Sequence, residues 1–168
     1  SGMQHIIYKS MVTIIIPVYN AADHLADTIK SIQDQVYKKW TLVLVDDCST
    51  DQSLDICKRF ADDDARIKIL KNAKNSGPAV TRNNGIGYAI SIKSEYIGFV
   101  DSDDLVSPYY LKKMVSVAEE HNADIVWCNY WEYNYWDATN KHLKSHGLTS
   151  NKDVDGVKLL HLFFGSST

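Results

Sequence analysis

What the chain lacks closes off several classes of function. Paired cysteines are missing: Cys48, Cys57 and Cys128 stand far apart, with no CxxC among them. An odd count without a secretory signal points to free thiols in a reducing compartment, not to a disulfide framework. No apolar run approaches the ~20 residues that cross a bilayer, so no transmembrane segment is expected. The start, Ser1-Gly2-Met3-Gln4-His5, has neither the basic region nor the apolar core of a signal peptide. Ser1-Gly2 reads as an expression scar on a leader of residues 1–10. No basic stripe stands out and the formal net charge is -3, which disfavours nucleic acid as a partner. The histidines, among them His121, His142, His146 and His161, show no HExxH-like spacing, which argues against zinc. Two phosphate-binding signatures are also absent. No GxGxxG follows the first predicted strand, and no GxxxxGK(S/T) occurs.

What remains is an ordinary soluble composition, 45% hydrophobic and 23% charged, in 168 residues. That length suits one domain with a sizeable core. Met11 to Pro17 is an apolar, β-branched run, as expected of a strand covered on both faces. Asn20 is a candidate N-cap for a helix over Ala21–Gln35, with Leu25, Ile29, Ile32 and Val36 at helical spacing. Trp40–Val45 predicts a second strand, and Ser49 or Thr50 would cap the helix after it. Ile67–Leu70 predicts a third strand. Pro78 fits the first turn of a third helix running to about Ile90. Gly85-Ile86-Gly87 falls inside that helix and is not read as a phosphate loop. Tyr96–Val100 predicts a fourth strand, and Pro108 opens a helix with Leu111, Met114, Val115 and Ala118 on one side. Asp124–Tyr130 predicts a fifth strand that continues into the aromatic stretch Trp131–Trp136. Asp137–Lys152 reads as loop, and Val154–Phe164 as a short final helix.

Alternating strands and helices predict an α/β fold, a mostly parallel sheet with helices on both faces. Right-handed crossovers place every strand-to-helix loop on one edge of such a sheet, where ligands bind. Three strand tips would therefore meet: Pro17-Val18-Tyr19-Asn20, Asp46-Asp47-Cys48-Ser49 and Asp101-Ser102-Asp103-Asp104. Three carboxylates within residues 101–104 repel one another unless a cation sits among them. Mg²⁺ or Mn²⁺ would join such an edge to a diphosphate. Asp47, at its strand tip, either accepts a hydrogen bond from a pyrimidine N–H or serves the dipole of the next helix, and Tyr19 either stacks on such a base or packs as a half-buried ring. Arg82 either lies on a solvated helix face or pairs with a carboxylate or phosphate in the crevice. Asp46 and Asp51 also suit a helix N-terminus.

Four stretches, in order, carry a resemblance. They are Ile14-Ile15-Ile16-Pro17-Val18-Tyr19-Asn20, Val45-Asp46-Asp47-Cys48-Ser49-Thr50-Asp51, Asn75-Ser76-Gly77-Pro78-Ala79-Val80-Thr81-Arg82-Asn83 and Phe99-Val100-Asp101-Ser102-Asp103-Asp104. Over roughly residues 11–130 the chain resembles glycosyltransferase family 2, inverting enzymes with the Rossmann-like GT-A fold. The resemblance implies that Pro17 and Tyr19 line a nucleotide pocket, with Asp47 on a uracil-type base and Arg82 near base and phosphates. Asp101-Ser102-Asp103 would be the DxD-type motif. Asp103 would be the main ligand for Mn²⁺ or Mg²⁺, with Asp101 and Ser102 near ribose or metal-bound water, and Asp104 an additional acid. The activity implied is hexosyl transfer from a nucleoside diphosphate sugar, UDP-linked, to a saccharide or lipid-linked acceptor. The setting implied is bacterial surface polysaccharide synthesis, in the cytoplasm or at the inner face of the membrane.

Two departures qualify that expectation. Cys48 stands where many relatives have glycine. The family's general base is an acid well downstream of the DxD motif, often in a Glu-Asp pair, and no such pair follows Asp155. The chain thus divides into a nucleotide-sugar-binding core, residues 11–136, and the start of an acceptor-side region, 137–168, that looks truncated. A nucleotide-sugar-binding module without turnover is the alternative. A phosphotransferase with an aspartyl nucleophile is a third, weakened by the lack of an Asp-x-Asp-x-Thr strand tip.

Overall fold

The computed structural model describes residues 10–123, the Val126 side chain, and the strand backbones of 125–127, 130–133, 141–144 and 158–161. Among the described residues, eight strands and four helices follow in chain order. They are β1 (Val12–Val18), α1 (Leu25–Gln33), β2 (Trp40–Asp46), α2 (Ser53–Asp63), β3 (Ile67–Lys71) and α3 (Gly77–Ser91). After these come β4 (Tyr96–Phe99), α4 (Tyr110–Glu120), β5 (Ile125–Trp127), β6 (Tyr130–Tyr133), β7 (Lys141–Lys144) and β8 (Lys158–His161).

Six strands form one sheet in the order β3-β2-β1-β4-β8-β5, with every neighbouring pair parallel. The period-2 geometry of β1 explains its unbroken apolar run. Val12, Ile14, Ile16 and Val18 face one side, in a core with Leu25, Ile29 and Ile32 of α1, Cys57 of α2, and Leu111, Met114 and Val115 of α4. Ile15 faces the other side, with Val43, Val45, Ile97, Phe99 and Ala89 of α3. Each aliphatic side chain so buried stabilises the fold by about 1.5–3 kcal/mol.

The two faces are covered by different means. On the first, α1 offers an apolar stripe at positions 25, 29 and 32, all fully buried. On the second, α3 brings its backbone close to the strand. A Cβ added at Gly85 would stand 2.5 Å from Cγ2 of Ile15. Gly85 therefore serves helix-on-sheet contact, while a Cβ on Gly87 would meet nothing within 4 Å.

Several boundaries differ from expectation. Helix α1 begins at Leu25, not Ala21. Asn20 sits in the left-handed region at φ 47, and its Oδ1 accepts from the Thr50 N–H at 2.8 Å, so it ties down the loop after β2 instead of capping α1. Helix α2 begins at Ser53, whose N–H donates to Asp51 Oδ1 at 2.9 Å, so Asp51 does the work expected of Ser49 or Thr50. Of the stretch expected to continue the fifth strand, residues 134–136 lie outside the described residues, and Tyr130–Tyr133 form a separate strand from β5. This strand, β6, leaves the main sheet and pairs antiparallel with β7, itself within a stretch expected to be loop. Within Val154–Phe164, expected to be helix, residues Lys158–His161 are strand β8, lying between β4 and β5. A short apolar run fits either period, and here the ladder groups of β4 and β5 provide partners that an isolated helical turn would not.

Candidate functional site

The site arises where β4 stops. Strand β1 pairs with β2 along its full length, to Val18, but with β4 only from Val12 to Ile15. The Val100 N–H donates to the Ile15 carbonyl at 3.1 Å, and the Asp47 N–H to the Val18 carbonyl at 2.8 Å. Since backbone groups alternate sides along a strand, residue 17 points its own toward the missing end of β4. Proline is tolerated there because no ladder partner would receive its absent N–H. A crevice of about 570 Å³ opens at this point, where strand order reverses about β1.

Pro17, Tyr19, Asp47, Arg82, Asp101, Ser102 and Asp103 all line this one crevice. They come from the tips of β1, β2 and β4 and from the first turns of α3. Tyr19 is half exposed, its ring available at the mouth. Arg82 Nη2 lies 3.2 Å from Asp101 Oδ1, so the arginine turns toward the crevice while staying partly exposed. The structure also brings His24, from just before α1, into the lining. No second histidine stands with it in the lining, so spacing between histidines carries no signal for it.

Asp47 is 4% exposed. Its Oδ1 accepts from Asn72 Nδ2 and from the Ser76 N–H, both at 2.8 Å, and its Oδ2 from the Gly77 N–H at 2.9 Å. Burial pushes its pKa up, but the hydrogen bonds from Asn72, Ser76 and Gly77 outweigh it and leave the group below its ordinary value. An ionised Asp47 is an acceptor only. Asn72 is buried in turn, with Nδ2 donating to Thr81 Oγ1 at 3.0 Å and Oδ1 accepting from Asn84 Nδ2 at 2.7 Å. Next to Asp47, Cys48 has φ 61, a conformation that favours glycine, and its Sγ–H donates to the Asn72 carbonyl at 3.2 Å.

The acidic turn lies opposite. The Asp104 N–H donates to the Asp101 carbonyl at 3.1 Å, which folds the turn tightly. Carboxylate oxygens of Asp101, Asp103 and Asp104 all lie within 4.8 Å of one another. Asp103 is exposed, whereas Asp104 Oδ2 is buried without a hydrogen-bond partner. Burial first, then the charges of Asp101 and Asp103, push the Asp104 pKa up to about 7. Three hard oxygen donors, one of them buried and unpaired, fit a divalent cation that takes carboxylate ligands. Asp104 is thus more deeply set in the cluster than its expected role as an additional acid suggested.

Comparison with known proteins bears on the family and the fold. The family model described as glycosyl transferase family 2 matches residues 13–167. Glycosyltransferase GlyG of Streptococcus pneumoniae serotype 4 is 35% identical over 129 residues, covering 77% of this chain and 42% of that protein. The teichuronic acid biosynthesis glycosyltransferase TuaG assigned in Bacillus subtilis is 36% identical over 123 residues, covering 73% of this chain and 48% of that protein. The crystal structure of S. aureus TarS residues 1–349 in complex with UDP superposes with a TM-score of 0.64 at 31% identity, over 70% of this chain and 35% of that one. The chain thus spans less than half the length of these relatives. Its α/β architecture is the GT-A fold. With motif order, sheet topology and sequence similarity in agreement, this chain belongs to glycosyl transferase family 2.

Proposed function

We propose that the crevice binds a nucleoside diphosphate sugar, UDP-linked, together with Mn²⁺ or Mg²⁺. The protein to which the chain belongs would transfer that sugar, with inversion, to a saccharide or lipid-linked acceptor in surface polysaccharide synthesis. The observation that carries this reading is the polarity of one crevice. A buried acceptor-only carboxylate, Asp47, stands on one side and a three-carboxylate turn on the other, with an aromatic ring, Tyr19, at the mouth.

Each feature matches one part of the donor. Uracil presents an N–H where cytosine presents a bare nitrogen, so an ionised Asp47 favours the former. Tyr19 offers a face for the base to stack on. Arg82, held by Asp101, supplies a fixed positive charge near the phosphates. Asp103 and Asp101, with Asp104 behind them, would hold the cation and leave Ser102 near the ribose. Bound there, the cation would act as a Lewis acid for charge developing on the departing diphosphate.

One observation favours the second reading, a binding module without turnover. Among the described residues, the carboxylates lining the crevice are Asp47, Asp101 and Asp103, and each already has a role in holding donor or metal. None of these carboxylates is left to take a proton from an acceptor hydroxyl, so within this lining turnover would have to use His24 as base. Sugar release or transfer separates the two readings.

The donor site is tested by titration calorimetry of UDP with and without Mn²⁺, on the chain and on Asp103→Ala. Binding that depends on Mn²⁺ and weakens at least about tenfold in Asp103→Ala is expected, as is weaker binding of CDP. Absence of binding by a folded chain, or equal affinity in Asp103→Ala, would overturn the proposal.

A further inference from the structure

The acidic turn belongs to a loop with little structure of its own. Between β4 and α4 the backbone contributes two turn hydrogen bonds within the loop, Asp104 N–H to the Asp101 carbonyl and Tyr110 N–H to the Ser107 carbonyl. Repulsion among Asp101, Asp103 and Asp104 works to spread it. What holds it is a polar stripe on α1 and just beyond.

Thr28 is fully buried, and its Oγ1 lies 3.0 Å from the carbonyl oxygen of Ser102, the residue between the two aspartates of the motif. The same hydroxyl lies 3.3 Å from the His24 carbonyl one turn back. One turn further along, Ser31 Oγ accepts from the Val106 N–H at 3.3 Å and donates to the Thr28 carbonyl at 2.7 Å. Gln35, also fully buried, donates from Nε2 to the Ser107 carbonyl at 2.7 Å. Its Oε1 accepts from the Leu111 N–H at 3.0 Å, which satisfies a first-turn donor of α4 from outside that helix. The Val36 N–H adds a bond to the Pro108 carbonyl at 2.9 Å. Thr28 and Ser31 thus share one polar edge of α1, beside its buried apolar stripe, and Gln35, two residues past the helix end, continues the set.

The chemistry of these ties matters. All are neutral, and they run to backbone groups of the loop or of the first turn of α4. None neutralises a carboxylate, as a lysine or arginine in the same place would, and Arg82 of α3 pairs with Asp101 through one oxygen, so Asp103 and Asp104 keep their acceptor capacity for a cation. We propose that Thr28, supported by Ser31 and Gln35, is a positioning residue. It fixes the Ser102 backbone so that the carboxylates on either side converge on one cation. The inference rests on the donor-site reading above, and it adds residues that touch neither donor nor metal.

The test compares the parent chain with Thr28→Val, which keeps the shape and removes the donor, and with Thr28→Ser, which keeps the hydroxyl. UDP is titrated with and without Mn²⁺, and each variant's unfolding midpoint is measured. Loss of an outer hydrogen bond of this kind lowers metal affinity about 10–100-fold. Thr28→Val is expected to lose that much of the Mn²⁺-dependent affinity and to hold metal-free UDP binding within about threefold, with Thr28→Ser returning to near the parent. If Thr28→Val does not fold, Ser31→Ala, which loses the Val106 tie and the bond to the Thr28 carbonyl within α1 but keeps the Thr28 hydroxyl, takes its place with the same expectation. Unchanged Mn²⁺-dependent binding in the folded variant would overturn the positioning role alone, as would equal loss of metal-dependent and metal-free binding. Absence of Mn²⁺-dependent binding in the parent would overturn the donor site and this inference with it.

Discussion

At the scale of single residues, the two neighbours Asp47 and Cys48 show what the sequence can and cannot announce. Asp47 was recognisable from its place at a strand tip. The three donors that keep it ionised were not, because Asn72, Ser76 and Gly77 lie 25 to 30 residues away. Cys48 was visible as a departure from glycine, and the structure supplies the reason for the departure to matter: φ is 61. A non-glycine residue there costs about 1–2 kcal/mol, and glycine's extra freedom in the unfolded chain returns about 0.5–1 kcal/mol of that. Cys48→Gly should therefore stay within about 1 kcal/mol of the parent in urea denaturation. Cys48→Val should be less stable by about 1 kcal/mol or more, because a β-branched side chain tolerates positive φ poorly. Equal stability of the two variants would show that the turn relaxes.

At the scale of elements, α3 makes a sharper prediction. Alanine is ordinarily preferred over glycine within a helix by about 0.8–1.0 kcal/mol. Gly87→Ala should gain about that much, since its Cβ meets nothing within 4 Å. Gly85→Ala should lose about 1–3 kcal/mol, because its Cβ would stand 2.5 Å from Ile15 and force α3 off β1. Thermal unfolding of the two single variants reads the difference directly, and a gain in both would mean the helix shifts freely. The elements legible in advance were those whose apolar spacing reports one period, such as β1, β2 and α1. Helix α1 was read for Leu25, Ile29 and Ile32, so its polar edge of Thr28 and Ser31 passed unnoticed, since hydrogen bonds across the fold leave no periodic trace. Strand β8 was misread as helix for a related reason. Its four residues acquire strand geometry from β4 and β5, which flank it.

At the scale of the molecule, the two edges of the sheet divide the work. The carboxyl edge carries the crevice. Near the amino edge, Trp40 opens β2, with the Arg66 guanidinium 3.7 Å from its ring centroid. Arg66 also pairs with Asp64 at 2.8 Å. Hydrogen bonding from Arg66 is the main cause holding the Asp64 pKa down, from 3.8 to about 2. A folded pKa below the unfolded one means stability that is present above pH 3.8 and lost as pH falls through about 2. Allowing for solvent screening, that contribution is about 1 kcal/mol. Asp64→Asn should lower stability at pH 5 by about that amount and by much less at pH 2. Mn²⁺-dependent UDP binding at neutral pH should be unaffected, because the pair does not line the crevice. Urea denaturation at the two pH values checks the first part, and a parallel loss at both would remove the pair as the cause.

The position of β3 at the end of the strand order has a bearing on how molecules meet one another. An outermost strand leaves a row of backbone donors and acceptors open, and such a row can template the sheet of a second molecule. Strand β3 is five residues long and carries Lys68 and Lys71, both exposed. Two molecules aligned edge to edge would bring like charges together along a short ladder. Aggregation by sheet extension is thereby opposed at this end of the strand order.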